Sequence, residues 1–255
     1  MTGPDAEWWD LGGGSGVTVG RLLDSVDARP AAWDEIESRL VVEDECWCPA
    51  GYAVLPELAA LARRDDHRDR ALRLAATIVR SLHRCDEFDD LARAASDHVA
   101  ALRGTARAGL AAGPDFLERL RDAVALAGYT FWAAIDMDFT DEHYHVGCPH
   151  CATRLAVVIG DYGHYSAVRD FHDGDIHRVP LLPADPRDLT GIGRWMHAAA
   201  VAAGEPVIAD GLTYLFGRAG CGACGSVFPV SDWFEAENGP SQPIDPVVPR
   251  TDRSA

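Results

Sequence analysis

The sequence predicts an α+β protein, with an N-terminal α-helical domain followed by a smaller mixed domain. Three observations lead there. Apolar residues recur at a helical period from about residue 19 to residue 137. Beyond Asp138 that period gives way to short runs rich in Val and Ile. Two Cys-x-x-Cys pairs, Cys148 with Cys151 and Cys221 with Cys224, stand beside those runs.

Residues 1–18 are Gly-rich and aromatic, with Trp8 and Trp9 followed by Gly12-Gly13-Gly14-Ser15-Gly16. No GxxxxGK accompanies the glycines, so they read as a flexible loop and not as a phosphate cradle. Val19–Asp27 and Pro30–Leu40 are short amphipathic helices, and Pro30 stands near a helix start, where its missing N–H costs nothing. Pro56 reads as the opening of a third helix, Pro56–Arg64. Leu72, Ala75, Val79 and Leu82 then recur at steps of 3, 4 and 3. Phe88, Leu91, Ala95, Val99 and Leu102 repeat the pattern, as do Leu117, Leu120, Val124 and Ala127. Gly113-Pro114-Asp115 separates the last two helices, with Asp115 as N-cap. About six antiparallel helices result. Their pattern fits a short α-solenoid and a globular bundle equally.

In the second half, Arg154–Gly160 reads as a buried strand directly after the first cysteine pair. Leu212–Gly217 and Ser226–Val230 read as strands flanking the second pair. Strand, knuckle and strand is the zinc-ribbon arrangement. One helix is expected between the pairs, about Leu189–Ala203, with Ile192, Trp195, Met196 and Ala199 on one face. Pro180, Pro183 and Pro186 mark an extended connector before it. The tail from Asn238 carries Pro240, Pro243, Pro246 and Pro249 with few apolar anchors and reads as disordered. The expected organisation is therefore a Gly-rich segment 1–18, a helical domain 19–137, a zinc-ribbon-like α+β domain 139–238 and a disordered tail 239–255.

Each cysteine pair can place two thiolates on one side of a tight turn. Two such turns facing each other make a tetrahedral site, so Cys148, Cys151, Cys221 and Cys224 are expected to hold a structural zinc. Compact ribbons place about 15–20 residues between their pairs. Here 69 intervene, so a whole subdomain is inserted between the knuckles. Two other readings compete: a redox or disulfide pair, which calls for a βαβ context, and a catalytic zinc, which four thiolates leave no open position to serve.

Composition excludes several chemistries. All 23 basic residues are arginine, so there is no Walker-A lysine, no kinase ATP lysine and no lysine Schiff base. A formal net charge of −17 repels phosphate backbones and argues against nucleic acid as a ligand. It suits solubility, or steering toward a basic protein partner. Arg63, Arg64, Arg68, Arg70 and Arg73 form the densest basic group, but Asp65, Asp66 and Asp69 interrupt it. No run of 18 apolar residues is present, so no membrane-spanning helix is expected. Residues 1–10 are acidic and lack a basic then apolar leader pattern. Seven cysteines, four of them arranged for metal, suit a reducing cytoplasm.

Catalytic candidates lie in two polar stretches, Asp136–His145 and Asp161–His177. His143, His145, Asp161, His164, His172 and His177, with Asp136, Asp138, Asp141, Glu142, Asp173 and Asp175, offer ligands or an acid–base pair. They also read as exposed polar loops, since no HExxH or EF-hand spacing is present. Ser166 lacks the nucleophile-elbow pattern. Tyr162, Tyr165 and Trp195 read as core residues or as the wall of a pocket. Cys46, Cys48 and Cys85 read as separate buried thiols or, with His83, as a further site.

The segments AAWDEIESRL and AGYAVLPELAALARRDDHRDRALRLAATIV, within about residues 30 to 80, resemble HEAT-like helical-repeat proteins common in actinobacteria. VGCPHCATRLAVVIGDYG and YLFGRAGCGACGSVFPV look like the cysteine-pair segments that follow some such repeats. The resemblance implies a repeat fold and a role as interaction scaffold or toxin-neutralising immunity protein, with no family active site to carry over. The expected function is thus a zinc-stabilised cytoplasmic module that holds a protein partner, a basic one by charge. The alternative is a metal-assisted or acid–base enzyme of a specialised-metabolite pathway, built on the His/Asp cluster between the domains. Neither the partner nor the oligomeric state is written in the sequence.

Overall fold

A computed structural model describes residues 15–41, 46, 50–82, 89–111, 115–168 and 177–239. Trp8, Trp9, Cys48, His83, Cys85, Phe88, His172, Asp173, Asp175 and the prolines of the tail lie outside them. The described residues form a mixed α+β chain of 11 helices, a four-stranded antiparallel sheet and a two-stranded sheet. The chain divides between Ala133 and Ala134 into two compact units.

Among the described residues the first unit has helices as its only regular elements: α1 (Ser15–Ser25), α2 (Ala32–Leu40), α3 (Ala50–Leu61), α4 (Arg68–Leu82), α5 (Asp89–Ala94), α6 (Ser96–Gly109), α7 (Phe116–Leu126) and α8 (Thr130–Ala133). Of the predicted apolar stripes, Leu72, Ala75, Val79, Ala95, Val99, Leu102, Leu120 and Val124 lie in its core. Trp33, Ile36, Leu55, Leu58, Ile78, Leu102, Leu120 and Val124 are buried. Helix α3 packs on α4 and α6 on α7, and the two pairs stack, α3 on α6 and α4 on α7.

Several boundaries differ from the sequence reading, each for a local reason. Helix α1 starts at Ser15, inside the segment read as a loop. Helix α3 starts at Ala50, and Pro56 lies inside it instead of opening it. Its first six residues, Ala50–Leu55, are all buried. Apolar burial outweighs the one backbone hydrogen bond that a proline removes. Gly51 in this turn leaves room for the Cys46 thiol, since a Cβ there would stand 2.6 Å from Sγ. A turn at Ala95 divides the run after residue 88 into α5 and α6. In α7 the buried face runs Phe116, Leu120, Ala123 and Val124, while Leu117 is only half-buried. Asp115 stands at the N-cap position, but its side chain makes no capping hydrogen bond.

The second unit holds β1 (Asp141–Gly147), β2 (Arg154–Gly160), β3 (Gly163–Ala167), β4 (Val179–Pro180), α9 (Gly191–Ala203), α10 (Pro206–Leu215), β5 (Arg218–Gly220), β6 (Val227–Pro229) and α11 (Val230–Asn238). The sheet order is β1-β2-β3-β4, all antiparallel, and β5 pairs with β6 in a separate hairpin. Strand β2 is buried on both faces, which explains its unbroken run Leu155–Ile159. On one side of the sheet β2 packs on α10 and β1 on α11, with the Tyr144 and Phe234 rings 5.2 Å apart edge to face. Four elements differ from the sequence reading. The polar stretch at 141–147 is strand β1, and 163–167 is strand β3. Leu212–Gly217, read as a strand, is the last turn of α10 and the step into β5. Pro206 at the first helical position starts α10. Val230–Asn238 is helix α11. On α9 the buried residues are Gly193, Met196 and Ala200, so of the expected face only Met196 is fully buried. No described helix is long and apolar enough to cross a membrane.

Candidate metal centre

Each cysteine pair is the loop of a β-hairpin. Gly147 pairs with Arg154 across the root of the first, and Gly220 with Val227 across the root of the second. Between the roots run six residues, 148–153 and 221–226. The backbone closes both loops in the same way. Cys148 N–H donates to Thr153 O and Ala152 N–H to Cys148 O, each at 2.8 Å. Cys221 N–H donates to Ser226 O and Gly225 N–H to Cys221 O, again at 2.8 Å. The fifth loop residue takes a positive φ in each, +56° at Ala152 and +75° at Gly225. That left-handed step turns the chain so that both thiols of a pair face one way.

The two loops bring their sulfurs together. Cys148 Sγ lies 3.8 Å from Cys224 Sγ, and Cys151 Sγ 3.7 Å from Cys221 Sγ. All four sulfurs fall within 4.8 Å of one another. A tetrahedron with metal–sulfur bonds of about 2.3 Å has sulfur–sulfur edges of about 3.8 Å. A disulfide holds its sulfurs at about 2.05 Å. The four thiols therefore surround a common centre and are not paired covalently, and the donor set fits a thiophilic ion. Cys148 and Cys221 are buried, whereas Cys151 and Cys224 are exposed, so the site lies at the surface with its first cysteines inward.

Hydroxyl groups stand beside the sulfurs. Thr153 Oγ1 is 3.2 Å from Cys151 Sγ, and Ser226 Oγ is 3.0 Å from Cys224 Sγ. Ser226 Oγ also approaches Cys148 Sγ at 3.5 Å. Burial pushes the Cys148 thiol up. Hydrogen bonds from Ser226 and from the backbone N–H groups of His150 and Cys151 outweigh it and hold the thiol at about 6. Cys221 occupies the matching place without a hydroxyl, and burial pushes it up to about 11. The Ser226 hydroxyl holds Cys224 below the ordinary thiol range. Thr153 and Ser226 follow their second cysteine at the same offset, in Cys-Ala-Thr and Cys-Gly-Ser. The shared pattern Gly-Cys-x-x-Cys, a small residue, then Ser or Thr is the signal that marks them, beyond the cysteine spacing alone.

Each loop root has its own support. At the first, Glu237 of α11 accepts from Gly147 N–H and from Arg154 Nη1, the latter at 2.7 Å. At the second, the fully buried Ser166 donates its hydroxyl to Gly220 O at 2.6 Å. Ser166 thus serves as a structural tie.

The remaining candidates are dispersed. On β1 the side chains alternate, which sets His143 and His145 on one face and Tyr144 and Val146 on the other. His164 pairs with Ile159, which pairs with Glu142, so His164 shares the Tyr144 face. There its ring stacks on Tyr214, with centroids 3.9 Å apart and planes 6° from parallel. His143 Nε2 lies 3.3 Å from Asp141 Oδ1. Asp161 stands exposed in the two-residue turn between β2 and β3. Exposed His177 borders the second loop, its Nδ1 3.0 Å from the place of a Cβ on Gly222. Asp138 accepts from the N–H and hydroxyl of Thr140, each at 2.8 Å. Tyr165 is buried, with the Arg178 guanidinium 4.6 Å over its ring, while Tyr162 is exposed and Trp195 half-buried.

Among the described residues one further group of ligand types lies in the helical unit: Asp27, Asp66 and His67. Arg64 already occupies it, paired to both carboxylates. His67 Nε2 lies 2.8 Å from Asp27 Oδ1, and its Nδ1 accepts from Trp33 Nε1 at 3.3 Å. This is an ion-pair network around a cation that the chain supplies itself.

No family model, no curated protein and no solved structure matches the chain.

Proposed function

We propose that the chain is a zinc-stabilised protein-binding module. Cys148, Cys151, Cys221 and Cys224 would bind one zinc ion as a structural site in a zinc-ribbon-like unit. The sulfur spacing, which matches a tetrahedral thiolate shell, supports zinc. The ion would tie residue 148 to residue 224 and so close the 69-residue insertion between the loops. The pair-on-pair stacking of α3/α4 with α6/α7 supports a HEAT-like reading of the helical unit.

The binding role rests on one observation. The large apolar side chains exposed among the described residues are Tyr162, Val168, Leu182, Val201, Val207, Val227 and Trp233, all in the cysteine unit. Apolar surface gathered on one unit of a chain with net charge −17 suits a partner that is both basic and apolar. The enzyme alternative keeps the Asp141–His143 pair as its one favourable observation.

The test is metal analysis of the full chain purified without added metal, with native-extract capture of wild type and a Cys148→Ser, Cys151→Ser variant. One zinc per chain, and a partner cross-linked to residues 134–239 of wild type only, is the expected result. A metal-free folded chain would sink the zinc assignment. A chain that runs at monomer mass in native extract, with no cross-linked protein, would sink the binding role.

A further inference from the structure

Helices α9 and α10 form a hairpin that leaves a groove beside its turn. The groove holds about 530 Å³, within the usual range for a recognition pocket of about 300–1,000 Å³. Its lining includes Pro186, His197, Val201, Glu205, Pro206 and Asp210. Val201 on α9 and Val207 on α10 are 58% and 56% exposed, the two most exposed large apolar side chains among the described residues. Helix α9 carries one charge, Arg194, and buries only Gly193, Met196 and Ala200. A helix this apolar normally buries more of its circumference.

The charge in this groove is of one sign. Neither Glu205 nor Asp210 makes an ion pair or a side-chain hydrogen bond among the described residues. Two arginines close in sequence to lining residues are engaged elsewhere: Arg187 pairs with Asp185 at 3.0 Å, and Arg194 donates to Leu189 O at 2.6 Å. Glu205 stands just before α10, where the positive end of the helix dipole favours a carboxylate. Asp210, in the middle of that helix, has no such compensation. The C-terminal end of α9 adds further negative potential.

We infer that the α9–α10 groove docks a cationic, aliphatic segment of another protein. Its Arg or Lys side chains would face Asp210 and Glu205, and a branched apolar side chain would pack on Val201 and Pro206. A second copy of this chain is a poor occupant, because two chains of charge −17 repel across an acidic groove. This inference rests on the binding-module reading and names its surface and the chemistry of its partner.

The experiment is a titration of the ¹⁵N-labelled full chain, zinc loaded, at low and at high salt. The probes are an amide-capped Arg-Leu-Arg-Leu peptide and its charge-reversed counterpart, Glu-Leu-Glu-Leu. The basic peptide should shift amide signals of His197, Val201, Glu205 and Asp210, and salt should weaken it. The acidic peptide should leave them in place. A Glu205→Gln, Asp210→Asn variant should bind the basic peptide roughly fivefold more weakly. Val201→Ser should also weaken it, and both variants should keep the wild-type unfolding midpoint, since all three side chains are exposed or half-buried. Equal shifts by both peptides would overturn the charge argument. Shifts confined to another part of the chain, or none at all, would overturn the groove. Those results leave the binding-module reading to be decided by the native-extract capture, so the two can fail separately.

Discussion

The two cysteine loops share one backbone and differ in almost everything around it. Their hydrogen bonds match to a tenth of an ångström, and both place the first cysteine inward and the second outward. Yet the first turns on Ala152 and the second on Gly225. The first is anchored by an ion pair at the surface, the second by a buried hydroxyl. Thr153 reaches one sulfur, whereas Ser226 reaches one on each loop. The shared part is what metal geometry demands. The differing part is local support, and it makes the second loop the better-held partner.

If the metal makes the loops one unit, removing a cysteine from either should cost the same. Cys148→Ser and Cys221→Ser should both abolish tight zinc binding and the cooperative unfolding of residues 134–239. A structural zinc contributes roughly 10–16 kcal/mol of apparent binding free energy at neutral pH. Zinc stoichiometry and thermal unfolding, with and without chelator, measure this. Retention of zinc by one variant and loss by the other would break the equivalence.

The anchors should then separate the loops. Ser166→Ala leaves Gly220 O buried without its donor and should cost about 1–3 kcal/mol. Glu237→Gln removes an ion pair whose arginine is 63% exposed and should cost less than about 1 kcal/mol. Urea unfolding of the zinc-loaded chain ranks the two. The reverse order would show the first loop to be the better anchored.

Legibility in the sequence followed the same division. The cysteine spacing announced a four-sulfur site, because two short-range pairs are readable without knowing what lies between them. Periodicity placed α4 and α7, whose apolar stripes run three turns or more. It failed on β1, where His143 and His145 on one face made the stretch look like a polar loop, although Tyr144 and Val146 alternate with them. It failed on Leu212–Gly217 because a six-residue apolar run fits a strand and a helix end alike. Pro206, the deciding residue, stands six positions upstream. The supports were out of reach for a different reason. Ser166 and Gly220 are 54 residues apart, and Gly147 and Glu237 are 90 apart. No local pattern encodes such pairs.

The hydroxyls should tune the metal unequally. Ser226→Ala removes a neighbour from both Cys224 and Cys148, whereas Thr153→Ala removes one from Cys151 alone. Partners behind the ligands typically change metal affinity by about 10- to 100-fold. Ser226→Ala should therefore fall at about tenfold or more, and Thr153→Ala below it, in competition with a zinc chelator of known affinity. Equal losses would mean that the 3.5 Å approach of Ser226 to Cys148 contributes nothing.

The smallest effect is the most diagnostic, because it isolates the backbone. A Cβ on Gly225 would meet nothing within 4 Å, so Gly225→Ala changes no packing. Its cost is the left-handed φ of +75°, about 1–2 kcal/mol for an L-residue, less the about 0.4–1 kcal/mol that alanine returns by restricting the unfolded chain. Ala152 already bears that cost at +56°. Ala152→Gly relieves it but frees the unfolded chain, which takes back about 0.4–1 kcal/mol. The net should be a gain of roughly 0.5 kcal/mol. Paired denaturation curves of the zinc-loaded variants should thus show opposite signs and similar sizes. If Gly225→Ala is silent, the second loop does not hold the left-handed turn in solution. The likeness of the two hairpins would then end at their sulfurs.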